Sequence, residues 1–204
     1  PEGTPVFPRE PLLTITGPLE QAQLLETLVL NIVNHQSLIA TKARRLSYAA
    51  AGRPIMEFGA RRAQGPDSAL YGTRAAIIGG ANSTSNVLAA KLFDIPVAGT
   101  MAHSWIEAFP DELTAFRKWA EQYPDNSALL VDTYDVLNSG IPNAVTVFKE
   151  LRAAGHEPVG IRIDSGDVTT LSQAARTQLD AAGFPNAKIT ISNALDEHII
   201  TSLL

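Results

Sequence analysis

The spacing of hydrophobic positions changes near residue 50, which predicts two structural regions. Before that point Leu24, Leu28 and Ile32 recur at a period near 3.6 residues, the spacing of one face of an α-helix. A long helix is therefore predicted over residues 19–50. The first region, 1–50, is expected to be an extended segment followed by this helix.

After residue 50, short apolar runs alternate with amphipathic stretches, which is typical of repeated β-strand and α-helix units in a parallel sheet. The pattern predicts about six strands, each followed by a helix or a loop. The strands are predicted at 54–58, 79–82, 95–99, 128–131, 159–163 and 188–191, and the helices at 70–78, 84–93, 111–123, 142–154, 169–182 and 196–204.

Both ends of the sequence suggest a piece of a longer chain. The first residue is Pro1 rather than Met, and an apolar segment follows almost at once. At the other end the helical pattern of 198–204 stops without a capping glycine or a basic last turn. The chain is therefore expected to be a fragment.

Composition excludes several classes of protein. With 204 residues, 45% of them hydrophobic and 18% charged, the chain can bury a sizeable core and is neither disordered nor fibrous. A net charge of -5 argues against a nucleic-acid partner. The absence of cysteine excludes disulfides, zinc ribbons, iron–sulfur sites and thiol nucleophiles, and it fits a cytoplasmic protein. No apolar run approaches the roughly 20 residues of a membrane helix, so no membrane association is expected.

Polar and ionisable residues collect directly after the predicted strands. The carboxyl ends of parallel strands lie on one edge of a sheet, so these residues are expected to converge on one cavity. In chain order they are Arg61, Arg62 and Gln64; Asn82 and Ser83; Thr100, His103 and Ser104; Asp132, Thr133, Tyr134 and Asp135; Arg162, Asp164, Ser165, Gly166 and Asp167; and Ser192, Asn193 and Asp196.

The residue types in this set favour an anionic, phosphate-bearing ligand. Arginine forks match phosphate or carboxylate, and backbone N–H groups at helix starts add to such a site. Four aspartates, Asp132, Asp135, Asp164 and Asp167, are candidate acceptors for sugar hydroxyls or for Mg²⁺. The role of His103 stays open: it could be a general acid or base, a phosphate ligand or a covalent nucleophile.

Each of these assignments has a structural alternative. Arg61 and Arg62 could form surface ion pairs, the 164–167 stretch could be a turn that caps a helix, and His103 could be a structural histidine. Ser192 and Asn193 could form only a helix cap. Glycine-rich dinucleotide and Walker A fingerprints are absent, as is the Gly-x-Ser-x-Gly elbow, which weighs against dehydrogenases, P-loop ATPases and α/β-hydrolases.

Taken in order, six short strings resemble the nicotinate phosphoribosyltransferase family over nearly the whole chain. Among them, the Gly-Thr-x-Ala-His-Ser and Arg-x-Asp-Ser-Gly-Asp patterns are the most specific. The strings are EFGARR (57–62), GGANS (79–83), GTMAHS (99–104), VDTYD (131–135), RIDSGD (162–167) and ISN (191–193).

The resemblance implies a fold and domain organisation. The fold would be an irregular (β/α) barrel of parallel strands, incomplete here, with a long N-terminal helix. Residues 1–50 would be the remnant of an N-terminal domain, and residues 51–204 an incomplete barrel that forms the catalytic domain. Family members also carry a Thr-Asp-Leu-Tyr-type segment and a second glycine-rich phosphate loop, and neither is present in this sequence. The chain alone is therefore expected to be inactive.

The resemblance also implies a reaction and roles for individual residues. Nicotinate and phosphoribosyl pyrophosphate would give nicotinate mononucleotide and pyrophosphate, and hydrolysis of ATP would be coupled to this reaction. Mg²⁺ would be the cofactor, and the active form would be a homodimer. His103 would be the phosphohistidine. The metal ligand stays open between Asp132 and Asp164. Substrate contacts would come from Thr100, Arg162, Arg61, Ser104, Asp132, Asp164, Ser165 and Gly166, with Ser192 and Asn193 at the 5′-phosphate.

Two alternatives to this function remain at the level of sequence. One is a relative that uses nicotinamide or quinolinate in place of nicotinate. The other is a non-catalytic barrel fragment that serves ligand binding or assembly.

Overall fold

The computed structural model describes residues 1–204 and has eight α-helices and five parallel strands. The helices are α1 (Leu19–Ala49), α2 (Pro66–Ile78), α3 (Val87–Phe93), α4 (His103–Glu107), α5 (Glu112–Gln122), α6 (Ile141–Ala153), α7 (Val168–Ala181) and α8 (Glu197–Leu203). The strands are β1 (Met56–Glu57), β2 (Ser83–Thr84), β3 (Ala128–Leu130), β4 (Gly160–Ile163) and β5 (Lys188–Ile191). Short 3₁₀ turns cover Ala60–Arg62 and Pro124–Asn126, and a π-helix covers Val136–Gly140.

The chain forms two compact units, one of Pro1–Gly99 with Asp196–Leu204 and the other of Thr100–Leu195. The domain boundary near residue 50 stays a prediction. No helix has both the length and the apolar character that crossing a membrane requires.

In the first unit, α1 packs against α2 at a point where the two backbones meet closely. A Cβ added to Gly79 would lie 2.3 Å from the carbonyl oxygen of Ala40, so only glycine permits this approach. The α1 helix itself confirms the prediction from hydrophobic spacing, although most of its apolar side chains, Leu24 and Leu28 among them, are exposed.

The first unit also holds a two-stranded parallel sheet in which Met56 pairs with Ser83 and Glu57 with Thr84. The strand predicted at 79–82 was wrong by a few residues, because that stretch is the turn that leads into β2. The strand predicted at 95–99 is reduced to one bridge between Thr84 and Val97. Its neighbour Pro96 has no N–H to donate and so cannot extend the ladder.

The second unit is built around a parallel sheet with the strand order β3-β4-β5. Its core side chains are fully shielded from water, among them Leu129, Ile161, Phe116 and Phe148. The three predicted strands of this unit are confirmed to within one residue at either end. The strands make two separate sheets, and no closed barrel forms within this chain. Convergence of all six strand ends on one cavity stays a prediction.

A glycine brings the π-helix against the carboxyl end of β3. A Cβ added to Gly140 would lie 2.0 Å from the carbonyl oxygen of Val131, so any larger residue would push the π-helix away from the strand. Between these two contact points lie the predicted functional loop 132–135 and the start of the π-helix.

Candidate active site

His103 lies where the loops after β3 and β4 meet the start of α4. Its Nδ1 is 3.1 Å from the hydroxyl oxygen of Thr133. Its Nε2 is 3.5 Å from Oδ2 of Asp164 and 3.9 Å from Oδ1 of Asp132. The side chain is 38% exposed, so a ligand can reach the imidazole. One ring nitrogen therefore borders a hydroxyl, and the other faces two carboxylates.

Asp132 is the most deeply buried acid of this group, with a side chain only 1% exposed. Its Oδ2 accepts hydrogen bonds from the backbone N–H of Asp164 at 2.9 Å and from the hydroxyl of Ser165 at 2.5 Å. Its Oδ1 is buried without a hydrogen-bond partner and faces His103. A buried, unpaired carboxylate oxygen is destabilising, so this atom is a position where a cation would be stabilised.

Asp164 joins the histidine to the arginine. Its Oδ1 accepts from the hydroxyl of Ser192 at 2.5 Å and lies 2.9 Å from Nη2 of Arg162. Burial raises the pKa of this carboxyl, but the Ser192 hydroxyl, the Arg162 guanidinium and His103 together outweigh it, and the net pKa is below its ordinary value. Asp164 is therefore ionised at neutral pH.

The guanidinium of Arg162 holds three segments of the chain together. Its Nε donates to the hydroxyl of Ser192 at 2.8 Å, and its Nη1 donates to the hydroxyl of Thr100 at 2.7 Å. Together with the contact between Asp164 and Nη2, these hydrogen bonds fix the plane of the guanidinium. The Arg162 side chain is only 11% exposed. A fixed arginine fork suits a planar carboxylate or a phosphate.

Two other aspartates predicted at these strand ends serve as helix caps. Asp135 accepts from the backbone N–H groups of Leu137 and Asn138 at 3.1 and 3.0 Å, and Asn138 is the main cause of its lowered pKa. Asp167 caps α7 and accepts a hydrogen bond from the hydroxyl of Thr170. This hydrogen bond is the main cause of the lowered pKa of Asp167. The capping alternative therefore describes these two residues, whereas Asp132 and Asp164 face His103.

The glycine and asparagine positions of the site have unusual backbones. Gly166 has a φ of 76°, which favours glycine, and an added Cβ would lie 2.9 Å from Leu171. Asn193 has a φ of 124°, a region that L-residues rarely adopt, and its Oδ1 accepts from the N–H of Ala194 at 2.8 Å. The turn after β5 is therefore strained directly beside Ser192.

Not every predicted site residue joins this cluster. Ser104 is exposed on α4, next to His103. Arg61 belongs to the first unit, where it is exposed on the Ala60–Arg62 turn. That turn is anchored by Glu57, whose carboxylate accepts from the N–H of Gly59 at 2.5 Å and from the hydroxyl of Thr84 at 2.7 Å.

Sequence reasoning gave no role to two residues near the site. Thr133 was included only as one of the polar residues after a strand, although its hydroxyl is the partner of His103 Nδ1. Glu112 was not singled out at all, and the structure buries it and bonds it to Ser139 of the π-helix. The position of Thr133 inside the VDTYD string could have marked it as a site residue. No feature of the sequence marks Glu112.

A histidine, two carboxylates and a fixed arginine beside the ends of parallel strands are typical of α/β proteins that bind anionic groups at a sheet edge. Comparison with known proteins narrows this class. The sequence model for the "Nicotinate phosphoribosyltransferase (NAPRTase) family" matches residues 54–203, and the chain belongs to that family. The family resemblance of the six strings is thereby confirmed.

Individual relatives cover the chain from end to end. A nicotinate phosphoribosyltransferase from Bacillus subtilis is 52% identical over 202 residues, which are 99% of this chain and 41% of that protein. The Mycobacterium tuberculosis protein named nicotinate phosphoribosyltransferase pncB2 is 46% identical over 204 residues, 100% of this chain and 43% of its own length. The chain thus spans less than half the length of these relatives.

A solved structure shows the same fold. The crystal structure of human nicotinic acid phosphoribosyltransferase superposes with a TM-score of 0.84 at 35% sequence identity and covers 100% of this chain and 51% of the human one. The α/β architecture with parallel strands and a long N-terminal helix is therefore shared with a solved member of the family.

Proposed function

We propose that this chain carries the phosphohistidine and part of the substrate site of a nicotinate phosphoribosyltransferase. The reaction forms nicotinate mononucleotide and pyrophosphate from nicotinate and phosphoribosyl pyrophosphate, with coupled hydrolysis of ATP, in NAD biosynthesis. The observation that carries the proposal is the continuous contact from His103 through Asp164 to Arg162, at 3.5 and 2.9 Å. A nucleophile and an anion-binding fork are thereby held in one site.

The carboxylates beside His103 select the reactive ring nitrogen. A carboxylate stabilises an N–H that points at it, so Asp164 and Asp132 favour the tautomer protonated on Nε2. The lone pair then lies on Nδ1, where it accepts from the Thr133 hydroxyl at 3.1 Å. When that hydrogen bond is released, Nδ1 attacks the γ-phosphorus of ATP. The bond from that phosphorus to the ADP oxygen breaks, and ADP leaves with the electron pair. The same carboxylates stabilise the positive charge that develops on the ring.

Glycosyl transfer needs stabilisation of opposite charges at two places. The ring nitrogen of nicotinate forms a bond to the anomeric carbon, while the bond to pyrophosphate breaks and its electron pair leaves with pyrophosphate. The anomeric carbon gains positive charge, which Asp132 and Asp164 stabilise. The nicotinate carboxylate pairs with the Arg162 fork, which Thr100 and Ser192 hold in place.

The donor set of the site fits Mg²⁺. This ion is bound by one or two carboxylates together with substrate phosphates, and Asp132 offers a buried Oδ1 without a partner next to the carboxylate of Asp164. These two side chains would hold the ion. When bound, Mg²⁺ neutralises charge on the phosphates of the substrates.

Further parts of the proposal rest on family membership. The strands would belong to an irregular (β/α) barrel that is incomplete in this chain, the working form would be a homodimer, and the location would be cytoplasmic. Ser192 and Asn193 would contact the 5′-phosphate, Ser165 and Gly166 the ribose or pyrophosphate, and Arg61 and Ser104 the substrate pocket.

Product analysis tests the reaction in the protein with its native start and end. Nicotinate, phosphoribosyl pyrophosphate, ATP and Mg²⁺ are expected to give nicotinate mononucleotide and pyrophosphate. Nicotinamide or quinolinate in place of nicotinate is expected to give little product. Equal use of nicotinamide would favour the alternative substrate, and no product with any of the three would favour a binding or assembly role.

A further inference from the structure

Glu112 is a buried glutamate that the proposed mechanism does not use. It is the first residue of α5, only 3% exposed, and it follows Asp111, which caps the helix by accepting from the N–H of Thr114 at 2.7 Å. The first turn of a helix is normally exposed, and carboxylates there interact with the helix dipole from the surface. Burial of Glu112 therefore has another cause.

The carboxyl group of Glu112 binds two side chains beyond β3. Its Oε2 accepts from the hydroxyl of Ser139 at 2.7 Å and from the amide of Asn143 at 2.9 Å. Asn143 also donates to the hydroxyl of Ser139 at 3.3 Å, so the three side chains form one network. Ser139 lies in the π-helix and Asn143 in α6. Glu112 thus ties the start of α5 to the π-helix and the first turn of α6.

This network is joined through Ser139 to the π-helix that directly follows the loop 132–135. The π-helix begins at its cap Asp135 and ends at Gly140, which packs on the carbonyl of Val131. The four residues from Asp132 to Asp135 are therefore fixed where the loop leaves β3 and where it enters the π-helix. Within this short loop lie Thr133, whose hydroxyl is 3.1 Å from Nδ1 of His103, and Asp132, which faces Nε2 together with Asp164. A π-helix is rare and occurs frequently at functional sites.

We propose that Glu112 is a positioning residue that holds the π-helix, and through it the loop 132–135, so that Asp132 and Thr133 face His103. The inference rests on the proposed function only in taking His103 as the reacting group. Glu112 forms no hydrogen bond with His103, Asp132 or Thr133. Its effect therefore passes through Ser139 and the backbone of the π-helix.

A second link between α5 and α6 supplies a matched control. Arg117 on α5 and Glu150 on α6 form an ion pair at 2.7 Å, and both side chains are about half exposed. This pair also joins the two helices, but it does not contact the π-helix. Glu150→Ala therefore removes a carboxylate from the same helix pair and leaves the network of Glu112 intact.

The test compares Glu112→Ala, Glu112→Gln and Glu150→Ala in the chain itself at one fixed pH. Imidazole ¹⁵N shifts of His103 report the hydrogen bond at Nδ1, and amide exchange of residues 132–135, referenced to β4, reports the order of the loop. Glu112→Ala is expected to move the Nδ1 signal and to speed exchange of the loop by about tenfold. Glu112→Gln, whose amide oxygen still accepts from Ser139 and Asn143, is expected to restore both values. Glu150→Ala is expected to match the unchanged chain.

Two results would overturn the inference. The first is an unchanged His103 signal in Glu112→Ala together with a lower melting temperature, since that pattern belongs to a purely stabilising residue. The second is equal behaviour of Glu112→Gln and Glu112→Ala, which would assign the effect to charge. If Glu112→Ala does not fold, Ser139→Ala replaces it. A smaller shift of the His103 signal in the same direction is then expected. An unchanged His103 signal in Ser139→Ala would count against the proposal. None of these measurements requires phosphorylation, so failure of the proposed function would be seen separately.

Discussion

Arg162 and Asp164 lie two residues apart at the end of β4, and their side chains pair on one face of the strand at 2.9 Å between Nη2 and Oδ1. Residues two apart on a strand point to the same side, so the RIDSGD string directs both groups into the site. Asp164 in turn faces His103 at 3.5 Å. The guanidinium of Arg162 and the imidazole of His103 are thus connected through a single carboxylate.

Replacement of this arginine tests its proposed pairing with nicotinate. Arg162→Lys keeps the positive charge but loses the planar fork, so the KM for nicotinate is expected to rise about 10- to 100-fold. The KM for phosphoribosyl pyrophosphate is expected to change far less. Steady-state kinetics of the protein with its native ends measure both. Arg117→Lys, at an exposed ion pair, is the control, and an equal rise in both KM values would contradict a specific role for Arg162.

The tautomer argument predicts which nitrogen of His103 carries phosphate. Attack by Nδ1 gives the Nδ1-linked isomer, which ³¹P and ¹⁵N NMR distinguish from the Nε2-linked one. Asp164→Asn weakens the preference for Nε2–H and is expected to slow phosphorylation about 10- to 100-fold. Phosphate on Nε2 would contradict the assignment, as would an unchanged rate in Asp164→Asn.

The ionisation of Asp164 predicts how stability depends on pH. Its pKa in the folded chain is below the ordinary value, so its contribution to stability is complete above the ordinary carboxyl range and is lost as pH falls through the lowered pKa. Ser192→Ala removes the hydroxyl that is the largest cause of this lowering. The variant is expected to lose its stability at a higher pH than the unchanged chain. Urea unfolding at a series of acidic pH values measures this, and superimposable profiles would contradict the prediction.

The strained turn after β5 predicts a stabilising substitution. Asn193 has a φ of 124°, which glycine adopts without strain, so Asn193→Gly is expected to raise the free energy of unfolding by about 1 kcal/mol. Asn193→Ala, which keeps the strain and loses the bond to the N–H of Ala194, is expected to lower it by a similar amount. Urea unfolding of the two variants checks the order, and a reversed order would exclude strain as the cause.

Much of the fold followed from the sequence because its signals are local. The spacing of Leu24, Leu28 and Ile32 predicted α1, and the alternating stretch Lys-Ile-Thr-Ile at 188–191 predicted β5 with the observed bounds. Helix α4 was not predicted, since five residues are too few for a period to emerge. The separation into two sheets was also missed, because strand pairing depends on contacts between distant segments that a periodic pattern does not encode.

The sequence predicted the main residues of the candidate site, but it did not predict which contacts each of them makes. Asp132 and Asp135, like Asp164 and Asp167, are aspartates three residues apart after a strand, and their type gives no basis for telling site from cap. Packing decides between them: the first of each pair is turned toward His103, and the second bonds the backbone of the next helix. Glu112 was missed for the same reason, because Asp-Glu at a helix start has the sequence pattern of an exposed first turn.

Phosphorylation by ATP of the protein with its native start and end is the most direct test of the central claim, that His103 is a nucleophile in this site. After incubation with γ-labelled ATP and Mg²⁺, the account predicts an acid-labile phosphate that peptide mapping assigns to His103. The label should be absent from His103→Asn and retained in His156→Asn, since His156 pairs with Asp125 away from this cluster. No acid-labile label on the unchanged protein with its native ends, or a label that persists in His103→Asn, would contradict the account.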